Sequence, residues 1–225
     1  MDCCLRKRIR SENMRFRNPA IILLLILAIC SALSAEDADN HPFQPLFNGR
    51  NLSGWTTNGN WLVQPRGILV IRPRAGEKGW QRYADYLWTN KPYENFVLQL
   101  EYKIPKKGNS GIFLGVKDKN NPVYQGLEIQ ILDSHEKKEP LTPHDCGGVI
   151  GIQAPQKNAA KPFGTWNQMV IVCQGNHLQV ELNGEQVIDL DVGNKVSRDK
   201  PLAGYIGLQD HGLPLEFRKI RIKQL

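Results

Sequence analysis

The sequence lacks the short motifs that identify several common enzyme classes. Its 225 residues contain no G-x-S-x-G elbow, Walker phosphate loop, H-E-x-x-H zinc motif or G-x-G-x-x-G dinucleotide fingerprint. Internal repeats and low-complexity tracts are absent as well. These absences argue against serine hydrolases built on that elbow, P-loop nucleotidases, zinc peptidases of that type and nucleotide-dependent dehydrogenases.

Cysteine is also scarce, with five residues in the chain. Cys3, Cys4 and Cys30 lie in the N-terminal segment, so only Cys146 and Cys173 fall in the rest. No C-x-x-C pair occurs, which leaves a structural zinc site of that kind unsupported. The two remaining cysteines could form a disulfide or stay separate thiols, and their separation in the sequence favours neither.

Positive charge is concentrated at the N-terminus. The whole chain has a formal net charge of +7, from 29 Lys and Arg against 22 Asp and Glu. Residues 1–35 contain six basic and two acidic side chains, and the remaining residues carry a net charge of +3. A charge this small does not indicate a nucleic-acid partner. With 41% hydrophobic residues, the chain is suited to a single folded domain.

The chain has one long apolar run, at residues 20–33, and basic residues precede it. The run is shorter than the roughly 20 residues that a helix needs to cross a bilayer. Small residues follow, so the pattern predicts a signal peptide over residues 1–35, with Met14 as an alternative start. We therefore expect a periplasmic or secreted protein without a stable membrane span after signal removal. An uncleaved N-terminal anchor is the alternative, whereas a lipid anchor at Cys30 is disfavoured by the bulky Ile29 before it.

The rest of the sequence is typical of an all-β protein. Residues 36–45 are polar with two prolines, which predicts a tether before a domain at residues 46–225. In this domain the run 95–104 alternates apolar and polar residues, and Asn183-Gly184 predicts a two-residue hairpin turn. Helical periodicity is limited to a short turn at residues 153–162. The pattern favours a two-sheet antiparallel sandwich, with an up-and-down barrel as the alternative.

Two of the predicted strands carry carboxylates on their polar faces. Glu101 lies in one, Glu128 lies in the other with Gln130, and Asp133 closes the second strand. If these strands share a sheet, the carboxylates project from one surface and could divide the roles of acid and base. The alternative for any one of them is a polar residue that simply faces water.

Aromatic and histidine side chains could complete such a surface. Each tryptophan is a candidate sugar-stacking platform or a core residue; the five are Trp55, Trp61, Trp80, Trp88 and Trp166. His144 and His211 adjoin Asp145 and Asp210, and an imidazole beside a carboxylate can move a proton or bind a metal. Their spacing matches no known metal motif.

A series of motifs runs in order along the predicted domain. They are L-F-N-G-x-x-L-x-G-W at 46–55, L-W-T at 87–89, F-x-L-x-L-E-Y at 96–102, N-S-G-I-F at 109–113, E-I-Q-I-L-D at 128–133, G-x-W-N at 164–167, L-N-G at 182–184, G-L-Q-D-H-G at 207–212 and F-R at 217–218. In this order they resemble the 3-keto-disaccharide hydrolase domain family. One departure is Lys219, which follows Arg218 where the family often has asparagine.

The resemblance implies a concanavalin A-like jelly roll that acts on an oxidised saccharide or glycoside, with a ketone at ring carbon 3. Such a ketone acidifies the hydrogen on carbon 2, so a protein base can remove it, and the leaving group then departs from carbon 1. Water adds to the resulting enone. The implied activity is therefore that of a hydrolase or lyase of the glycosidic bond. No cofactor is required with certainty, although a divalent metal at the ketone oxygen is compatible with this chemistry.

Carried onto this sequence, the resemblance implies catalytic and substrate-binding residues. The catalytic candidates are Glu101, Glu128, Asp133 and His211. The substrate-binding candidates are Asn109, Ser110, Gln130, His144, Trp166, Gln209 and Arg218, the last as a partner for developing negative charge. Base and acid are not assigned individually. A noncatalytic carbohydrate-binding module is the main alternative function, and a structural or adhesive sandwich is a further one.

Overall fold

The computed structural model describes residues 42–194 and 202–225. The predicted signal peptide and most of the predicted tether lie outside the described residues. Among the residues described, no helix has both the length and the apolar character to cross a membrane.

Two antiparallel sheets pack face to face. The described strands are β1 (Gln44–Pro45), β2 (Trp55–Thr56), β3 (Trp61–Gln64), β4 (Ile68–Ile71), β5 (Leu87–Thr89), β6 (Phe96–Lys103), β7 (Asn109–Val116), β8 (Leu127–Leu132), β9 (Asn167–Gln174), β10 (His177–Leu182), β11 (Glu185–Asp191), β12 (Tyr205–Leu208) and β13 (Leu215–Gln224). The eight-stranded sheet has the order β11-β10-β9-β6-β13-β4-β3, with β1 also paired to β13. The five-stranded sheet has the order β2-β5-β12-β7-β8. The predicted all-β jelly-roll sandwich is confirmed, and the barrel alternative is wrong.

The core lies between the two sheets because strict alternation gives each long strand one apolar face. In β6, Phe96, Leu98, Leu100 and Tyr102 are buried while the intervening side chains are partly exposed. These side chains join one hydrophobic cluster with inward residues of the five-stranded sheet, such as Ile129 of β8. Burial of this apolar area is the main force that holds the sheets together.

Several local predictions can be compared with the structure. The hairpin turn is confirmed, since Asn183 and Gly184 have φ values of 54° and 86° between β10 and β11. Residues 153–162 form no helix; the helical turn is α1 (Pro122–Gln125), which the sequence did not indicate. Both described cysteines are free and buried. The end of the predicted tether belongs to the fold, because Gln44 and Pro45 pair with β13.

The outer face of the five-stranded sheet carries a second buried cluster. Its fully buried members are Tyr86, Trp88, Phe113 and Val116, and Tyr83, Val123 and Tyr205 pack against them. The Trp88 ring lies flat over β12, where a methyl group on Gly207 would come within 2.2 Å of it. The aromatic cluster therefore requires a residue without a side chain at Gly207.

We predict that Gly207→Ala lowers the free energy of unfolding by roughly 1–3 kcal/mol, because the added methyl group overpacks the Trp88 ring. Urea denaturation measures the change. Gly151→Ala is the comparison, since its methyl group would meet open space and only its positive φ of 71° is strained. A loss no greater than that of Gly151→Ala would show that Trp88 does not set the requirement.

Candidate active site

A cleft opens on the outer face of the five-stranded sheet, beside the second cluster. Its volume is about 330 Å³, at the lower end of the range for small-molecule pockets. Side chains from β7, β8, α1, the segment after β12 and two loops line it; they are Trp80, Asn109, Val123, Glu128, Gln130, His144, Ile150, Gln209 and His211. The lining combines one carboxylate, three carboxamides and two imidazoles with apolar walls, which suits a polar ligand with a ring.

Glu128 is the carboxylate in this cleft. It lies on β8 with its side chain across β7, where a methyl group on Gly111 would come within 2.3 Å of Oε1. The same Oε1 accepts a hydrogen bond of 2.8 Å from Gln209 Nε2. Burial raises the pKa of Glu128 to about 7, although the Gln209 hydrogen bond opposes the shift. Near neutral pH this group can therefore both accept and donate a proton.

Gln209 is held from several sides. Its backbone nitrogen donates to the Gly111 carbonyl, and its carbonyl accepts a 2.8 Å hydrogen bond from the Ser110 hydroxyl. The residue is only 3% exposed, and its side-chain Oε1 has no hydrogen-bond partner among the described residues. Its amide also reaches the Tyr86 hydroxyl beneath the cleft. These contacts fix the donor that orients Glu128.

Three polar side chains lie beside Glu128 along the sheet, and we call Asn109, Gln130 and His211 the polar wall. Gln130 Nε2 donates to Asn109 Oδ1 at 3.3 Å, and Asn109 Nδ2 lies 3.5 Å from His211 Nε2. Gln130 is nearly buried, whereas His144 reaches the cleft from an exposed loop. The wall therefore offers several donors and acceptors to sugar hydroxyl or ketone oxygens.

An arginine anchors the loop that carries Trp80. Arg82 contacts both oxygens of the fully buried Asp210 at 3.4 Å, and it also pairs with Asp85 at 2.7 Å and Glu77 at 3.2 Å. Burial raises the pKa of Asp210 even though Arg82 opposes the shift. Since Asp210 separates Gln209 from His211 in sequence, this ion cluster fixes one wall of the cleft against another.

Comparison with known proteins decides the family. The sequence profile of the 3-keto-alpha-glucoside-1,2-lyase-like domain matches residues 42–223. The chain belongs to this family. A curated relative, the 3-keto-disaccharide hydrolase of Bacteroides thetaiotaomicron, is 32% identical over 235 residues, which cover 84% of this chain and 80% of the relative. The match agrees with the resemblance of the sequence motifs, and it supports a carbohydrate-active hydrolase at the level of the family.

Solved structures share the fold. A candidate glycosyl hydrolase from Parabacteroides distasonis has a TM-score of 0.68 at 30% identity, over 82% of this chain and 100% of that one. The carbohydrate-binding module CBM66 from Bacillus subtilis has a TM-score of 0.55 at 16% identity, over 76% of this chain and 96% of that one. The second likeness shows the fold alone.

The cleft of this family member brings together six of the predicted site residues. They are Asn109, Glu128, Gln130, His144, Gln209 and His211. Ser110 is fully buried beneath the cleft, where its hydroxyl supports the Gln209 backbone and cannot meet a substrate. Of the five candidate tryptophans, Trp80 lines the cleft, and Trp55 and Trp61 belong to the core between the sheets.

Glu101, Trp166 and Arg218 lie elsewhere. They are on the outer face of the eight-stranded sheet, with the core between them and the cleft. Glu101 pairs with Arg218 at 2.6 Å and Lys219 at 2.7 Å, and the Arg218 guanidinium stacks 3.9 Å from the Trp166 ring. Partial burial raises the pKa of Glu101, but its hydrogen bonds with these two cations outweigh burial and lower it. The expectation that Glu101 and Glu128 share one surface is wrong, because alternation gives the face within a strand but not the sheet that contains it.

Asp133 also lies outside the cleft. It lines a neighbouring depression of about 290 Å³, and its Oδ2 accepts a 2.8 Å hydrogen bond from the Lys107 backbone. The predicted convergence of three carboxylates is therefore wrong, and Glu128 is the one that the cleft contains.

Some residues of the site did not emerge from the sequence. Val123 and Ile150 line the cleft from a short helix and a loop, and Tyr86 and Arg82 support it from below and from the side. Asp210 stands between two predicted residues in the G-L-Q-D-H-G motif, which was a usable signal. The sequence contains no such signal for the other four residues, because their role depends on where the loops fold back onto the sheet. These four are Arg82, Tyr86, Val123 and Ile150.

The described residues do not present a ligand set for the divalent metal considered above. No group of three or more His, Cys, Asp or Glu side chains within residues 42–194 and 202–225 could hold a metal ion. No catalytic step is therefore assigned to a metal.

We predict that Glu128→Gln becomes more stable relative to the parent protein as the pH rises from 5 to 8. The parent carboxyl has a raised pKa of about 7, so its contribution to stability is complete below about pH 4.5 and is lost as the pH rises through 7. Glutamine cannot ionise, and the difference should grow by roughly 2 kcal/mol. Urea denaturation at both pH values measures it; a difference that does not change with pH contradicts the raised pKa.

Proposed function

We propose that this protein cleaves the glycosidic bond of 3-keto glycosides by proton removal at carbon 2, elimination and hydration. Membership of the 3-keto-alpha-glucoside-1,2-lyase-like family supports the substrate class, as does the name of the Bacteroides relative. The observation that carries the proposal is the partly buried Glu128 carboxyl, whose pKa is raised to about 7 inside a cleft of polar hydrogen-bonding groups. A general base works best when its pKa is close to the working pH.

Glu128 acts as the base through its second oxygen. Gln209 occupies Oε1, and no described residue donates to Oε2. Oε2 therefore takes the proton from carbon 2. The electron pair of that C–H bond forms a double bond between carbons 2 and 3, and the π pair of the carbonyl group moves onto the ketone oxygen to give an enolate. Gln209 holds the carboxyl in one orientation during this transfer, so little reorganisation is needed.

The polar wall stabilises the negative charge that develops on the substrate. Amide groups of Asn109 and Gln130 lie beside Glu128 and donate hydrogen bonds to the enolate oxygen or to neighbouring hydroxyls. When the enolate collapses, the bond from carbon 1 to the leaving oxygen breaks, and that oxygen takes a proton. His144 and His211 are the imidazoles available in the cleft to supply it.

Hydration completes the reaction. Elimination leaves a double bond between carbons 1 and 2, conjugated with the ketone. Water adds its hydroxyl group to carbon 1 and gives its proton to the imidazole that protonated the leaving oxygen. Carbon 2 takes back a proton from the protonated Glu128, so both groups return to their starting states. The sum of both steps is hydrolysis of the glycosidic bond without an oxocarbenium-like state.

We also propose that the protein is exported to the periplasm or secreted. The proposal rests on the apolar run of residues 20–33 with basic residues before it and small residues after it. Fractionation of the native host followed by N-terminal sequencing tests it, and recovery of the uncleaved chain in the cytoplasm contradicts it.

We predict that the parent protein releases monosaccharide from a 3-keto disaccharide and that Glu128→Gln lowers kcat by about 10²- to 10⁴-fold, the usual contribution of a general base. Because the base must be ionised, kcat/KM of the parent should rise with pH until about pH 7. Liquid chromatography of the products measures both effects.

The matched control is Glu101→Gln, which removes a partly buried carboxylate from the opposite face of the sandwich and should leave kcat unchanged. Binding of the 3-keto disaccharide without any turnover would overturn the enzymatic proposal and favour a carbohydrate-binding module. Full activity of Glu128→Gln would remove Glu128 as the base.

A further inference from the structure

Three aromatic side chains gather at the cleft around Trp80, which is part of its lining. We call Trp80, Tyr83 and Tyr124 the aromatic rim. The Trp80 and Tyr83 ring centroids lie 6.0 Å apart, and the Tyr83 hydroxyl lies within electrostatic range of both Tyr124 and Glu128. Trp80 is 40% exposed and Tyr124 is 69% exposed, so both rings are accessible to a ligand.

The rim is supported from below and is not a set of loose surface residues. Tyr83 packs on the buried cluster of the outer sheet face, and its ring makes an edge contact with Tyr86 at 5.8 Å. Val123 of α1 packs on the same cluster and lines the cleft, and the next residue of that helix is the exposed Tyr124. The Tyr86 hydroxyl also donates to the Trp80 carbonyl.

Strand register places Glu128 between α1, which carries Tyr124, and the amides of the polar wall. On the outer face, Glu128 is opposite Phe113 of the aromatic cluster, and Gln130 is opposite Gly111. Asn109 lies two residues further along β7 in the same direction. Along the chain direction of β8, α1 with Tyr124 therefore comes first, then Glu128 opposite Phe113, and then the amides.

This order fixes how a substrate ring lies. Carbon 2 is between carbons 1 and 3 of a sugar ring, and Glu128 must face carbon 2 to remove its proton. If the ketone at carbon 3 faces Asn109 and Gln130, then carbon 1 and its leaving group point toward the beginning of β8, where α1 carries Tyr124 of the aromatic rim. A cleft of about 330 Å³ is at the small end for ligand sites, so the leaving group extends onto the rim.

We propose that the aromatic rim is a leaving-group subsite that selects glycosides whose leaving group is a ring, stacked on Tyr124 and Trp80. The inference rests on the proposed function, because it takes the position of carbon 2 from the role of Glu128. A ring with a flat C–H or aromatic face gains contact with an exposed aromatic side chain, whereas a methyl group is too small to reach it. Saccharide and aryl leaving groups share this property.

The test compares three 3-keto glucosides that differ in the leaving group, which is a methyl, a glucosyl or a nitrophenyl group. Tyr124→Ala should lower kcat/KM by about tenfold for the two ring-shaped groups, as expected for loss of one ring contact. The same variant should leave the methyl glycoside unaffected. Tyr124→Phe keeps the ring and should retain the parent values for all three substrates.

Phe163→Ala is the matched control, because Phe163 is an exposed aromatic residue beside the neighbouring depression and not the cleft. It should change none of the three values. An equal loss for all three substrates with Tyr124→Ala, or no loss for any, overturns the subsite while leaving the proposed function intact. A loss for the glucosyl but not the nitrophenyl group, or the reverse, supports the subsite and shows which kind of ring it takes.

A calorimetric binding measurement separates the two proposals if the parent protein cleaves none of the substrates. In that case the proposed function fails, and the affinities of the parent and of Tyr124→Ala for the intact 3-keto disaccharide decide the subsite. Weaker binding by the variant supports an aromatic subsite, and equal binding overturns it.

Discussion

The hydrogen bond from Gln209 to Glu128 is the interaction on which the candidate site depends. It crosses β7 and joins β8 to the segment after β12, and it can form only because Gly111 leaves the surface of β7 bare. A carboxyl laid flat on a sheet loses much of its hydration, and this burial is what raises its pKa. The same arrangement leaves one oxygen of the carboxyl for a substrate. The packing of Glu128 across β7, the proton affinity of its carboxyl and the orientation of that carboxyl therefore all result from one close approach between neighbouring strands.

Two glutamates with the same sequence signature show how far the environment decides their chemistry. Both Glu101 and Glu128 occupy polar positions in alternating strands. Glu101 faces Arg218 and Lys219, which stabilise its charge and lower its pKa. Glu128 faces the neutral amide of Gln209, whose hydrogen bond stabilises the charge less than burial destabilises it. The first is suited to an ion pair on the sheet surface, and the second is suited to gaining and losing a proton.

Much of the fold followed from the sequence because alternation and turn residues are local signals. The strand at Phe96–Lys103 and the turn at Asn183-Gly184 needed no knowledge of distant residues. The assignment of strands to sheets is not local, and for this reason Glu101 was placed with Glu128. The motifs contain five of the six predicted cleft residues, and the sixth, His144, was noticed because Asp145 follows it. Arg82 and Tyr124 were missed, since neither residue type nor spacing shows which loop or turn folds over a sheet.

The ion cluster around Arg82 limits how the protein can be diversified. Loops above a sheet are the usual place for changes that alter ligand preference. Here the loop that carries Trp80 also supplies the cation that neutralises Asp210, a carboxylate with no solvent exposure. A loop exchanged between relatives would have to bring its own arginine to that spot, or the uncompensated charge would disturb the neighbouring Gln209 and His211. Evolution of new specificity in this region is thus coupled to retention of one guanidinium.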